Sequence, residues 1–184
     1  LILVVKSTVR PGTCKKLQEK YNITVLSNPE FLTERYAHED FMNPRCIIIG
    51  GDVKERSILK NFYDIGFPST CEYGKPFKYY LTDSITSELI KYTTNCFFSV
   101  KITFMNEIKQ ICDTAGGNWE DLVEGFIKEG RVFPEHLDVP GHDGKLGFGG
   151  RCFPKDLSAM IVYANENNID PKLMQAAKDK NKEI

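Results

Sequence analysis

Residues 1–6 read Leu-Ile-Leu-Val-Val-Lys, an apolar, β-rich run with no turn or cap ahead of it. Such a run reads as a strand buried on both faces, which requires neighbouring strands and covering helices. Working outward, Pro11-Gly12 makes a turn, 13–21 a short helix and 23–26 a second strand. Asn28-Pro29 opens another turn, followed by a helical turn over 30–34. Cys-Ile-Ile-Ile-Gly at 46–50 is a third buried strand, and 53–64 a helix. Strands alternating with helices predict an α/β fold on a parallel sheet. The piece has the size of half a nucleotide-binding sheet, although no G-x-G-x-x-G follows a strand.

After Tyr79-Tyr80 the pattern turns wholly helical. Asp83 or Ser84 can cap a helix running to Ala115, with Gly116-Gly117 as its stop. At 1.5 Å per residue it would be about 48 Å long, more than one small domain spans. Ile85, Leu89, Tyr92, Phe97, Val100, Phe104, Ile108 and Ile111 recur along it at helical spacing, predicting a spine between domains or half of a dimer interface. Asn118 caps a helix through Glu129, and a Gly/Pro-rich loop runs over 130–150. The next helix covers 154–167, and Asp170-Pro171 starts the last, Asp as cap and Pro at its first position. The domains expected are 1–80, a partial Rossmann-like α/β unit, and 81–184, an all-α unit built on the long helix. Both ends read as interior to a longer chain.

The chain has 184 residues and a formal net charge of −1, which argues against nucleic acid or an acidic membrane surface as main partner. No apolar run is long enough to span a membrane. The six cysteines are widely spaced with no C-x-x-C pair, which fits neither a zinc site nor a disulfide scaffold and suits a reducing cytoplasm. His38, His136 and His142 have no metal-ligand or triad spacing and read as surface or loop residues.

The chemistry concentrates at 147–156, Gly-Phe-Gly-Gly-Arg-Cys-Phe-Pro-Lys-Asp. The glycines allow close backbone approach, and Pro154 suits a helix's first turn. Cys152 would then sit at a helix N-terminus between Arg151 and Lys155, where dipole and cations favour thiolate. The alternative is a buried, inert cysteine on a glycine turn. Lys91 and Asn95 share a helix face, as a catalytic pair or as part of a solvated stripe. Glu30 and Glu34 offer a proton acceptor or ordinary first-turn acids. Asp156 could hold a water or a cation, or serve as a helix-start acid. Ser7-Thr8 close the first strand, where ligands of open α/β sheets bind, or simply cap a turn.

Six segments in order resemble the UDP-glucose/GDP-mannose dehydrogenase family: Lys-Ser-Thr-Val-Arg-Pro-Gly-Thr at 6–13, Ser-Asn-Pro-Glu-Phe-Leu-Thr-Glu at 27–34, Pro-Arg-Cys-Ile-Ile-Ile-Gly-Gly at 44–51, Ser-Glu-Leu-Ile-Lys-Tyr-Thr-Thr-Asn at 87–95, Asn106-Glu107, and the cysteine segment. The resemblance implies a four-electron oxidation of a sugar C6 hydroxyl to a carboxylate, with two NAD+ and one water. It implies Cys152 as nucleophile, Lys91 and Asn95 as oxyanion stabilisers, and Asp156 as the carboxylate that places water. Glu30 matches the acid–base residue of the hydrolytic half, and Thr8 the hydroxyl near nicotinamide. Ser7, Thr8, Glu34, Cys152 and Lys155 would lie by the cofactor. Glu30, Phe31, Leu32, Lys91, Asn95, Lys145, Leu146, Gly147, Phe148, Gly149 and an Arg131 reaching to a neighbouring subunit would meet the nucleotide sugar.

Phe-Pro-Lys-Asp after the cysteine and Gly-His-Asp-Gly-Lys before it favour UDP-glucose over GDP-mannose or UDP-N-acetylmannosamine. Arg151 departs from the small residue usual in the family and is expected to point away. The resemblance puts a first βαβ unit ahead of Leu1 and a further domain after Ile184, so the isolated chain is expected to be inactive and the long helix to form a homodimer. A reading from another class is a non-catalytic dimerisation module.

Overall fold

The computed structural model describes residues 1–33, 35–66 and 78–184. Glu34 lies outside the described residues. The chain divides into two compact units, Leu1–Tyr92 and Thr93–Ile184.

The first unit is α/β, as expected. Its elements are β1 (Ile2–Val5), α1 (Thr13–Tyr21), β2 (Thr24–Ser27), α2 (Ala37–Met42), β3 (Ile47–Gly50), α3 (Val53–Gly66), β4 (Tyr79–Thr82) and the start of α4 (Ser84–Ala115). The strands form one sheet in the order β1-β2-β3-β4. β1 pairs parallel with β2 and β3 with β4, but the β2–β3 junction is an antiparallel contact at Ser27 and Gly50. The sheet is therefore mixed rather than wholly parallel. β4 is a strand that the sequence reading did not name, formed because its Tyr-Tyr-Leu-Thr pairs residue for residue with β3. β1 lies at the sheet edge with Leu3 41% exposed, so it is not covered on both faces. Ile47, Ile49 and Tyr63 form the core beneath β3.

The helical turn expected at 30–34 is absent over 30–33, which run as irregular chain. The Glu30 carboxylate accepts the Leu32 N–H at 2.7 Å, a local side-chain bond that competes with helix.

The second unit contains the rest of α4 with α5 (Trp119–Lys128), α6 (Phe153–Glu166) and α7 (Lys172–Glu183). Asp83 caps α4 by accepting the Thr86 N–H at 2.9 Å. At the other end Gly116 has φ +75°, and the Gly117 N–H reaches the Cys112 carbonyl at 2.9 Å. That left-handed residue closes the helix where the sequence placed its stop. Asn118 caps α5 through the Asp121 N–H. The start of α7 differs from expectation: Pro171 is the cap residue rather than the first helical one, and Asp170 makes an ion pair with Lys172. Cys96, Phe148, Leu157 and Ile161 form one apolar cluster, and Met105, Leu137 and Val139 another.

The apolar stripe expected along α4 is largely exposed in the single chain. Tyr92 is buried, but Phe97 is 61%, Phe104 50% and Ile111 62% exposed. Its buried face is mostly polar: Ser87, Glu88, Lys91, Asn95, Ser99, Thr103 and Asn106. Apolar periodicity and burial part company on this helix.

Candidate active site

In the first unit, the carboxyl ends of β2 and β3 meet the first two turns of α4. Ser87 donates to the Ser27 hydroxyl at 3.0 Å, tying α4 to the end of β2. A side chain at Gly50 would collide with Ser87 and the Asp83 carbonyl, so glycine is what lets β3 approach the helix start. Glu88, 3% exposed, accepts the N–H groups of Gly12 at 2.5 Å and Cys14 at 2.8 Å. One carboxyl thus caps α1 across the fold, answering donors that the helix cannot satisfy itself.

These ties set Lys91. Its ammonium stands 3.8 Å from Glu30 and 4.9 Å from the centre of the Phe31 ring. The residue is only 5% exposed, which rules out the solvated-stripe reading. Behind Glu30 is a network that sequence reasoning missed. Lys6 donates to Asn28 and to the Tyr63 hydroxyl, both at 3.0 Å, and Tyr63 donates to Asn28 at 2.5 Å. Asn28, 2% exposed, donates onward to the Ile48 carbonyl at 2.7 Å. Its place in Asn-Pro-Glu, two residues before the candidate acid, was the available signal. Ser7 is exposed and Thr8 half-buried at the end of β1.

In the second unit, Cys152 is the cap residue of α6 and is exposed, unlike the buried Cys14, Cys96 and Cys112. The buried alternative therefore fails on geometry. Pro154 sits in the first turn of α6, as expected. Asp156 is fully buried one turn along, its N–H on the Cys152 carbonyl at 2.9 Å. Its carboxylate accepts Asn95 at 2.6 Å and Lys155 at 2.5 Å. Lys155 is thus engaged by Asp156. Asn95, 6% exposed, follows Lys91 by one turn of α4.

The loop before the cysteine divides by exposure. Lys145, Leu146, Gly149 and Arg151 are exposed, whereas Phe148 is 7% exposed and packs in the core. Arg131 is exposed and paired with Glu129 at 2.5 Å. His136 is a loop residue whose ring lies 4.5 Å from Phe98 and 5.3 Å from Phe153.

Residues 85–183 match the model of the UDP-glucose/GDP-mannose dehydrogenase family, central domain, and residues 1–65 that of the same family's NAD binding domain. A UDP-glucose 6-dehydrogenase of Rickettsia felis is 38% identical over 99% of this chain and 40% of its own length. One of Rhizobium meliloti is 36% identical over 95% of this chain and 40% of its own. A UDP-glucose dehydrogenase structure from Pyrobaculum islandicum superposes with a TM-score of 0.81 at 31% identity, covering 98% of this chain and 41% of that one. The chain thus spans about two-fifths of the length of these relatives.

Proposed function

Because the chain belongs to the UDP-glucose/GDP-mannose dehydrogenase family, we propose that it supplies the catalytic residues of an NAD-dependent oxidation of UDP-glucose to UDP-glucuronate. The observation that carries this reading is Cys152: an exposed thiol at the head of α6, with the buried Asp156 carboxylate one turn behind it and bonded to Asn95. In this reading residues 1–80 are the latter half of the NAD-binding domain and 81–184 the central domain. Ser7 and Thr8, at the carboxyl end of the parallel β1–β2 pair, stand where dinucleotides seat on open α/β sheets, and so fit NAD. NAD+, when bound, accepts hydride from the sugar carbon at each of two oxidations.

The Cys152 thiolate adds to the C6 aldehyde and gives a thiohemiacetal, and the second oxidation leaves a thioester. Covalent capture divides a hard oxidation into easier steps. Lys91 and Asn95 stabilise the oxyanions at C6, Lys91 the more strongly for being desolvated. Asp156 and Thr8 hold the hydrolytic water, and Glu30, beside Lys91, takes its proton. Phe31, Leu32, Arg131, Lys145, Leu146, Gly147, Phe148 and Gly149 contact the nucleotide sugar. Ser7 and Lys155 lie toward NAD.

The test is turnover of UDP-glucose by the full-length protein, followed by NADH formation and intact-mass spectrometry of quenched enzyme. Two NADH per glucuronate and a sugar adduct on Cys152 are expected, with Cys152→Ala losing at least about a thousandfold in kcat. A Cys152→Ala enzyme that still makes UDP-glucuronate at a comparable rate would exclude the covalent route.

A further inference from the structure

The loop ahead of Cys152 is gripped by two asparagines that have no part in the chemistry above. Asn181, near the end of α7, accepts the Phe148 N–H at 2.6 Å and donates to the Phe148 carbonyl at 2.9 Å. Its side-chain amide pairs with that residue as an adjacent strand would. Asn106 of α4, 3% exposed, donates to the Ile102 carbonyl at 2.8 Å and accepts the Gly147 N–H at 3.1 Å. Gly147 has φ +69°, and a side chain there would run into the Asn181 amide. The Phe148 ring is meanwhile sunk in the cluster with Cys96, Leu157 and Ile161.

We propose that Asn181, seconded by Asn106, is the positioning residue of the nucleotide-sugar loop, holding 147–149 in the form that receives substrate. The proposal rests on the functional reading above, in which this loop meets UDP-glucose. Two anchors bound the segment. Cys152 is held by its own helix α6, and Phe148 by Asn181 and the core, with Gly149 and Gly150 exposed between them. Glycine carries more backbone freedom than any other residue, so this stretch keeps one shape only while both ends are fixed. Losing the Asn181 bonds frees the substrate-side end and leaves the Cys152 end in place. Substrate affinity should therefore suffer far more than the chemical step.

The measurement is steady-state kinetics of the full-length enzyme with UDP-glucose and NAD+. Asn181→Ala should raise KM for UDP-glucose by roughly tenfold, with kcat and KM for NAD+ within about twofold of wild type.

Asn181→Asp supplies a signature that loosened packing would not. Protonated, the carboxyl can still donate to the Phe148 carbonyl; ionised, it opposes that oxygen. KM for UDP-glucose should then rise as pH climbs through the ordinary carboxyl range, from about pH 3 to 6, through an ionisation the wild type lacks. Thermal melts identify any variant that does not fold, and the remaining ones carry the test. An active wild-type enzyme with KM unchanged in folded Asn181→Ala, or with kcat and both KM values altered alike, overturns the inference alone. A wild-type enzyme that binds no nucleotide sugar overturns the functional reading and the inference with it.

Discussion

Lys91 shows how much one residue's surroundings decide. Read from the chain, it was a helix lysine facing the same way as Asn95; in the fold it is buried, 3.8 Å from Glu30 and over the Phe31 ring. A desolvated ammonium acts on a nearby oxyanion in a lower dielectric than water provides, which strengthens it as an electrophile. Lys91→Met in the full-length enzyme should lower kcat by about 10²–10³-fold, with little change in KM, in stopped-flow or steady-state assays. Lys91→Arg should rescue poorly, because a planar guanidinium does not fit a compact ammonium's place. The cysteines give a second prediction at this scale. Burial, helped by Glu88, pushes the Cys14 thiol up from 9.0 to about 12. Burial, helped by Asp156, raises Cys96 from 9.0 to about 12 as well. The unfolded chain releases these protons first, so it binds fewer protons through that window. The stability they contribute is full below about pH 9 and is lost as pH rises toward 12. Thermal melts should fall over this range, and Cys14→Ala with Cys96→Ala should flatten the slope. An unchanged slope in the double variant would contradict the assignment.

The helix ends were legible residue by residue. Asp83, Gly116 and Asn118 each do what their type does at a cap or a stop, because those interactions are local. The start of α1 is different. Gly12 precedes it with no side-chain cap of its own, and the missing acceptor arrives from Glu88, more than seventy residues on. Nothing near α1 in sequence announces that. Glu88→Ala should leave two backbone donors without their acceptor and destabilise the first unit by about 2–4 kcal/mol in urea unfolding. Glu88→Gln keeps one acceptor oxygen and should cost roughly half as much. Equal stability of Glu88→Ala and wild type would mean that water replaces the carboxyl at no cost.

At the scale of the whole molecule, α4 runs through both compact units and leaves Phe97, Phe104 and Ile111 exposed at seven-residue steps. Seven-residue spacing on a straight helix keeps these side chains along one seam, the arrangement by which helices pair. A second copy of the chain is the occupant we propose, in keeping with the expected homodimer. Phe104→Glu places a charge at the middle of that seam, so light scattering should move from dimer to monomer. A wild-type chain that is monomeric at tens of micromolar would defeat the proposal. Among the described residues no helix is long and apolar enough to cross a membrane.

Local patterns by themselves determined the α/β class, the length and both ends of the long helix, and Cys152 at the head of α6. Each of these depends on a few neighbouring residues: buried β-branched runs, caps, and a proline in a first turn. Order along the chain also carried the family resemblance. Only the tertiary structure decided which face of α4 is buried, that the sheet is mixed and gains β4, and that residues 30–33 are not helical. It alone placed Glu88 on α1, Lys6 and Tyr63 on Asn28, and Asn181 on Phe148. These are partnerships of polar groups far apart in sequence. A polar side chain is buried where a distant donor or acceptor satisfies it, and no periodicity in the chain records where that partner is.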